Sequence, residues 1–164
     1  PGDIVTYCFR HNPHCIVDDG RLLRCVKDAR QRGVQFDIGH GMGSFNFDVA
    51  ETAISDGFAP DTISTDLQIG HQGAVPQHDL PLVMSKLHAA GMPAASVFAA
   101  VTSSPARTLN VDSNTGRLSS GSRADLLILT SLPNQTLYDS AGQSRVGARW
   151  TPHLTILAGR AVPA

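Results

Sequence analysis

The stretch that most constrains the fold of this chain runs from residue 36 to residue 66 (FDIGHGMGSFNFDVAETAISDGFAPDTISTD). A strand-like run, Val34–Ile38, leads into it, and a second such run, Thr62–Thr65, lies near its end. Between them we predict a helix with Asn46 as its N-cap, because the apolar residues that follow recur at helical spacing: Phe47, Val49, Ala50, Ala53 and Ile54. The stretch therefore predicts a strand, a loop, a helix and a second strand.

Each of these two strands is followed by a side chain that can bind a metal or move a proton, His40 after the first and Asp66 after the second. In parallel α/β folds the active site lies at the carboxyl ends of the strands, so these are the first candidates for function. Glycines on both sides of His40 favour a functional histidine, because glycine lets the backbone approach a ligand closely. The alternatives are structural: Asp66 caps a helix or loop, and His40 is hydrogen-bonded without touching a substrate.

The segments before this stretch predict a further strand and a further helix. Asp3–Phe9 is β-branched and aromatic, as strands are, and Arg10–Gly20 is a polar loop. Leu22–Arg32 has an apolar face and basic groups near its end, so we predict a helix that Gly33 stops. The chain thus begins with two successive units of strand and helix.

The segments after this stretch predict helices that cover the third strand. Gln68–His78 is a loop, and Asp79 is a good N-cap for a helix that ends before Gly91. A second helix is predicted at Ala94–Val101 and a short helical turn at Ser104–Leu109.

From Asn110 onwards the sequence predicts β-structure joined by tight turns. The elements are a strand, a polar loop and two short strands, at Ala124–Leu129, Leu132–Gly142, Val146–Trp150 and Leu154–Leu157. We therefore expect two domains, residues 1–109 and residues 110–164.

Composition argues against several classes of partner. The 164 residues carry 13 basic and 14 acidic side chains without a basic run, so we expect no nucleic-acid partner. The apolar runs are too short for a membrane span. Cys8, Cys15 and Cys25 lack CxxC spacing, which argues against a disulfide framework and favours a cytoplasmic location.

The start of the chain suggests that it is part of something longer. It opens with Pro1, Gly2 and Asp3, with neither an initiator methionine nor a signal peptide. The hypothesis is that this is a fragment, and a genuine start at this point in intact-mass data would contradict it.

Seven segments, in this order along the chain, resemble the C-terminal portion of amidohydrolase-superfamily enzymes, in the branch labelled dihydroorotase-like amidohydrolase/deacetylase. They are PGDIVTYCF, GVQFDIGHGMGSFNFDVAETAISDG, DTISTDL, HDLPLVMSKL, SPARTL, GRLSSGSRADLLIL and DSAGQSRVG. The resemblance implies an α/β fold. Residues 1–109 would hold strands six to eight of a (β/α)8 TIM-type barrel, and residues 110–164 the C-terminal strands of a small β-sandwich.

The resemblance also implies one or two divalent metal ions, commonly zinc. Asp66, in ISTDL, matches the strand-eight aspartate that binds metal and acts as the general base. Tyr7 falls where a strand-six histidine ligand is expected, in a segment that normally reads THCF. His40, in DIGHG, matches a strand-seven histidine expected to contact the substrate. The Gly41–Ser44 stretch could offer backbone N–H groups to an oxyanion or carboxylate, with Gly41 as a substrate-binding residue, and His71 lies in the loop that would border the pocket.

Tyr7 is the main departure from the family's pattern. A phenol with an ordinary pKa of about 10 is a poorer zinc ligand at neutral pH than imidazole. His11 or His14 in the following loop could compensate, or remain solvated. The sequence has no His-x-His pair, and both lysines, Lys27 and Lys86, fall on predicted helices rather than at strand ends. By itself this chain cannot complete the expected metal site.

Two functions remain open from the sequence. The first is a metal-dependent hydrolase, foremost a deacetylase, that cleaves a small-molecule amide, cyclic amide or acyl ester with a metal-activated water. The second is a truncated or catalytically inactive homologue that serves as a binding or assembly module, and Tyr7 is its main support. The sequence also leaves open whether the protein forms a homo-oligomer. A (β/α)8 barrel takes about 250 residues, so we expect this chain alone to be poorly soluble or to associate.

Overall fold

The computed structural model describes residues 2–162, which form a mixed α/β fold. The strands are β1 (Ile4–Val5), β2 (Val17–Asp18), β3 (Arg21–Leu22), β4 (Gln35–Phe36), β5 (Leu126–Tyr138), β6 (Ser144–Leu157) and β7 (Arg160–Val162). The helices are α1 (Arg24–Gln31), α2 (Phe47–Ser55), α3 (Leu80–Ala89), α4 (Ala94–Val101) and α5 (Ser103–Thr108), with a 3₁₀ turn at Ile69–His71.

Three segments in the first half of the chain run parallel to one another. β1 pairs with β4, with Ile4 opposite Gln35, and a parallel bridge joins Asp37 to Thr62. The segments therefore lie side by side in chain order. Their carboxyl ends meet at one edge, as the sequence predicts.

Left-handed backbone turns the chain at the ends of the first and third of these segments. The φ angle is 61° at Tyr7 and 49° at Asp66, and an extended strand cannot contain such a residue. Of the strand predicted at residues 3–9 only β1 forms, and of the strand at 62–65 only the bridge forms. The sequence thus overestimates the length of these strands, although it places them correctly.

A buried carboxylate ties the three parallel segments together. Asp37 accepts hydrogen bonds from the hydroxyl groups of Thr6 (2.8 Å), Thr62 (2.7 Å) and Ser64 (2.6 Å). A buried carboxylate is stable only where donors replace its water, and these donors come from the two flanking segments. These hydrogen bonds therefore hold together the three segments whose ends carry the candidate residues.

The predicted starts of two helices, α2 and α3, are confirmed by their capping contacts. Asn46 Oδ1 accepts from the Val49 amide at 3.1 Å at the start of α2, and Asp79 Oδ1 accepts from the Leu82 amide at 2.8 Å at the start of α3. Gly33, with φ of 87°, follows α1 as predicted. None of the helices in residues 2–162 has the length and apolar character needed to cross a bilayer.

The loop predicted at residues 10–20 contains one strand of a small hairpin, which delays the helix predicted from Leu22. Val17 of β2 pairs with Leu22 of β3 in antiparallel fashion, and α1 begins only after this pair. Asp19 and Gly20 between the strands have φ angles of 46° and 69°, as a two-residue hairpin turn requires.

The polar loop predicted at residues 132–142 is wrong over most of its length, because β5 continues to Tyr138. Pro133 and Asn134 form a bulge at which the register with β6 shifts and pairing then resumes. The two short strands predicted after it are likewise one strand, β6, which shifts register near Pro152. Pro133 and Asn134, whose residue types are typical of loops, are therefore accommodated in the bulge of β5.

The β5–β6 sheet packs on the helical part of the chain. Leu137 of β5 and Trp150 of β6 belong to the same hydrophobic core as Leu87 of α3. The Trp150 amide donates to Ser85 Oγ at 2.8 Å, which joins β6 to α3. A domain boundary near Asn110 stays a prediction.

Candidate active site

Asp66 and Tyr7 meet at the carboxyl ends of the two outer parallel segments. The Tyr7 hydroxyl donates to Asp66 Oδ2 at 3.0 Å, and both side chains are half-buried. This hydrogen bond, and then the negative charge of Asp66, raise the pKa of the Tyr7 phenol above its ordinary value, so the phenol is neutral at neutral pH. The structure thus brings together the two residues that the sequence assigns to a metal.

In this cluster the Tyr7 phenol keeps its proton and donates a hydrogen bond to Asp66, and Gln68 also donates to Asp66, at 3.3 Å. Metal binding by Asp66 or Tyr7 stays a prediction. Among residues 2–162, no three His, Cys, Asp or Glu side chains are grouped so as to hold a metal ion. His11 and His14, the candidates for compensation, are exposed in their loop. Among the described residues Asp66 is therefore a candidate ligand that is not part of a complete metal site.

Gly41 stands directly against Asp66. Its φ is 41°, and a Cβ atom built on it would lie 2.7 Å from Asp66 Oδ2. Its amide donates to the Thr65 carbonyl at 2.9 Å, so the backbone after the second parallel strand is fixed to the backbone before Asp66. Only glycine permits this conformation together with this approach.

His40 precedes Gly41 and is 2% exposed. Its Nδ1 bonds to the Gly41 carbonyl, its Nε2 lies 2.9 Å from Lys86 Nζ, and its ring stacks on Phe45. Burial, and then the Lys86 charge, lower the His40 pKa to about 3, so the ring is neutral. Both ring nitrogens are engaged within the described structure, and a substrate contact by His40 stays a prediction.

Lys86 is the residue of this region that sequence reasoning missed. It lies on α3, is 6% exposed, and burial lowers its pKa to about 8 against the opposing charge of Asp139. A signal was present, because Lys86 falls three and four positions after Val83 and Leu82, on the helix face predicted to be apolar. A lysine on such a face must have a buried partner, and that partner is His40.

The loop after Asp66 brings two histidines towards the cluster. His71 is half-buried, and its Nδ1 accepts from the Gln68 amide at 3.3 Å, so it joins Asp66 through Gln68. His78 is buried, and its Nε2 lies 2.9 Å from the Thr65 carbonyl. His71 is thus placed beside the site, whereas His78 supports the strand that carries Asp66.

A cavity of about 160 Å³ lies beside His40, between α3 and the β5–β6 hairpin. Its lining includes Lys86, His78 and Arg149, while Asp66 and Tyr7 are outside it. Within the described part of the chain, the carboxylate cluster and this cavity are therefore separate.

Residues 3–162 of the chain match the model of the Amidohydrolase family. The chain belongs to this family. It is 39% identical, over its whole length, to a deacetylase of Brucella anthropi, of which it covers 41%. The family membership expected from the sequence is confirmed.

Two solved structures resemble this amidohydrolase chain. It superposes on the crystal structure of an adenine deaminase with a TM-score of 0.90 and 36% identity, covering 99% of this chain and 45% of the other. For the crystal structure of a dihydroorotase the TM-score is 0.84 and the identity 37%, over 100% of this chain and 43% of the other. The mixed α/β fold is thus that of amidohydrolase neighbours, while the numbering of its strands within a barrel stays a prediction.

The amidohydrolase chain spans less than half the length of these relatives. The relatives named deacetylase, adenine deaminase and dihydroorotase also differ from one another in their reactions. Activity, substrate and metal therefore have to be argued from the site.

Proposed function

We propose that this amidohydrolase chain is part of a metal-dependent hydrolase that cleaves a small-molecule amide, cyclic amide or acyl ester, foremost as a deacetylase. The placement of Asp66 carries the proposal: its carboxylate follows a parallel strand and is held by Tyr7 and Gln68. Family membership and three relatives named deacetylase support a hydrolytic reaction.

In the proposed reaction Asp66 takes a proton from the attacking water and passes it to the leaving group, a role worth about 10²- to 10⁴-fold in rate. Tyr7 orients the carboxylate through its hydroxyl. A divalent ion, zinc in our proposal, would be held in part by Asp66 and would lower the pKa of a bound water from about 16 towards about 7. Gly41 and His71 are proposed to border the substrate, because both lie beside Asp66. The Gly41 N–H expected to reach the substrate instead donates to the Thr65 carbonyl.

Metal analysis and hydrolysis assays on the longest natural protein that contains this chain test the proposal. Purified without chelator, it should hold about one or two zinc ions per chain. Asp66→Asn should lose activity on an acyl ester by about 10²- to 10⁴-fold. The matched control is Asp56→Asn, because Asp56 is exposed and pairs only with exposed or backbone groups such as Lys27 (3.4 Å). A folded wild-type protein without metal and without hydrolysis would overturn the proposal.

A catalytically inactive binding module is the second candidate, and Tyr7 favours it. A neutral phenol stands where the family pattern expects an imidazole, and it occupies an oxygen of the predicted ligand Asp66. Tyr7→His separates the two functions. Zinc in the variant but not in the wild type would mean that Tyr7 has disabled the site, and the binding module would replace the hydrolase.

A further inference from the structure

Lys86 and His40 form a buried pair that links helix α3 to the strand end. Lys86 Nζ lies 2.9 Å from His40 Nε2, and the two side chains are 6% and 2% exposed. Burying an ammonium group is costly unless it is hydrogen-bonded. The proposed chemistry at Asp66 does not use this lysine directly, so its burial has another reason.

The partners of the His40 ring decide where its proton lies. The Gly41 carbonyl can only accept a hydrogen bond, so Nδ1 must carry the proton. A lysine ammonium can only donate, so Nε2 must offer its lone pair. The ring is therefore the neutral Nδ1–H tautomer.

The charges around the pair agree with this assignment. Among the described residues, the other titratable groups near Lys86 and His40 are His78 in the preceding loop, Tyr138 at the end of β5, Asp139 after it and Arg149 of β6. Burial and the Lys86 charge lower the His40 pKa to about 3, while burial lowers the Lys86 pKa to about 8. At neutral pH His40 is thus uncharged and Lys86 is mostly protonated.

The tautomer matters because His40 holds the peptide that touches Asp66. Its Nδ1–H binds the Gly41 carbonyl, and the Gly41 amide binds the Thr65 carbonyl at 2.9 Å. Gly41 in turn stands against Asp66 Oδ2. If the proton moved to Nε2, the Gly41 carbonyl would lose its donor and the contact with Asp66 would loosen.

We propose that Lys86 is a positioning residue, which holds His40 as the neutral Nδ1–H tautomer and thereby fixes Gly41 against Asp66. His40 acts on the backbone in this arrangement and leaves the substrate to Gly41 and His71. The effect on catalysis rests on the proposed function, whereas the effect on the tautomer does not.

Nitrogen-15 NMR of the histidine-labelled full-length protein reads the tautomer without an activity assay. The His40 signal is assigned by its loss in His40→Gln. In the wild type it should show a proton on Nδ1 alone, unchanged from about pH 7 to about pH 5. In Lys86→Met the ring should titrate at higher pH, and the Nε2–H form should gain population because only the Gly41 carbonyl then opposes it, while Lys86→Arg should keep the wild-type pattern.

Lys27→Met is the matched control, because Lys27 is the chain's other lysine and is exposed in its ion pair with Asp56. It should leave the His40 signal unchanged. An Nε2–H tautomer in the wild type, which needs no variant to fold, would overturn the proposal. So would a Lys86→Met protein whose His40 tautomer and titration match the wild type.

Hydrolysis assays on the same proteins test the final step. Lys86→Met should lower kcat by about 10- to 100-fold with a smaller change in KM, and Lys86→Arg should restore most of the activity. A changed tautomer with undiminished kcat would overturn the link from His40 to Asp66. A changed tautomer in a protein whose wild type hydrolyses nothing would refute the proposed function and leave the role of Lys86 at His40 standing.

Discussion

Asp66 keeps its position because the residue opposite it has no side chain. The Asp66 carboxylate is held by the Tyr7 hydroxyl at 3.0 Å, and Gly41 approaches from the other parallel segment with φ of 41°. A methyl group on Gly41 would need the space that Asp66 Oδ2 occupies, and it would also strain the left-handed backbone. The geometry of the site therefore depends on having at position 41 a glycine, whose side chain is a single hydrogen atom.

Gly41→Ala should destabilise the full-length protein by about 1–3 kcal/mol and should displace Asp66, because the variant combines a clash with an unfavourable φ. Urea unfolding and the rate of acyl-ester hydrolysis measure the two effects. Gly43→Ala is the control, since no atom lies within 4 Å of its added Cβ and its φ is not left-handed. Equal effects of the two variants would show that the close approach of Gly41 to Asp66 is unimportant.

At the scale of elements, one serine joins helix α3 to strand β6. Ser85 is fully buried, its hydroxyl donates to the Pro81 carbonyl at 2.7 Å, and it accepts from the Trp150 amide at 2.8 Å. The Trp150 ring stacks on His88 of the same helix, with ring centroids 5.2 Å apart. Because α3 also carries Lys86, this contact between α3 and β6 connects the β5–β6 sheet with the candidate site.

Ser85→Ala should lower the free energy of unfolding by about 1–3 kcal/mol, because the Trp150 amide stays buried without a partner. Ser55→Ala provides the comparison: Ser55 is exposed, and its hydroxyl bonds only to the Thr52 carbonyl of its own helix. We expect that control to change stability by less than about 0.5 kcal/mol. A loss of stability in Ser55→Ala but not in Ser85→Ala would contradict the stabilising role of Ser85 between α3 and β6.

At the scale of the whole molecule, apolar side chains and open sheet edges lie at the surface of the 164-residue chain. Ile4 and Val5 of β1 are about half exposed. The long strand β5 lies at the edge of its sheet in the described structure, and its Leu127 and Ile128 are 46% and 45% exposed. An unpaired apolar edge is a template for pairing with another chain.

The 164-residue chain expressed alone should therefore form soluble oligomers or precipitate, which light scattering after size-exclusion chromatography detects. A lysine at the edge of β5, in Leu127→Lys, should reduce association because a charge blocks edge pairing. Leu118→Lys changes a leucine outside the strands that is more exposed, 87% against 46%, and it should have a smaller effect because it lies at no sheet edge. A monodisperse wild-type monomer with a cooperative thermal transition would contradict the prediction.

The sequence by itself determined the parts of the protein that depend on local contacts. The N-caps Asn46 and Asp79 bind amides three residues ahead, and Gly33 ends its helix through its own φ angle. The positions of His40 and Asp66 after two parallel segments were likewise predictable, since short strand-like runs precede them. The quoted motifs also sufficed to identify the family.

Only the tertiary structure decided which of these residues meet. Tyr7 and Asp66 are 59 positions apart, and His40 and Lys86 are 46 apart, so no local pattern relates them. β5 also runs through Pro133 because its partner β6 keeps pairing on both sides of a bulge. Local signals act over a few residues, whereas burial and strand register depend on segments that only folding brings together. The candidate site is built from such long-range contacts, which is why the sequence alone did not predict them.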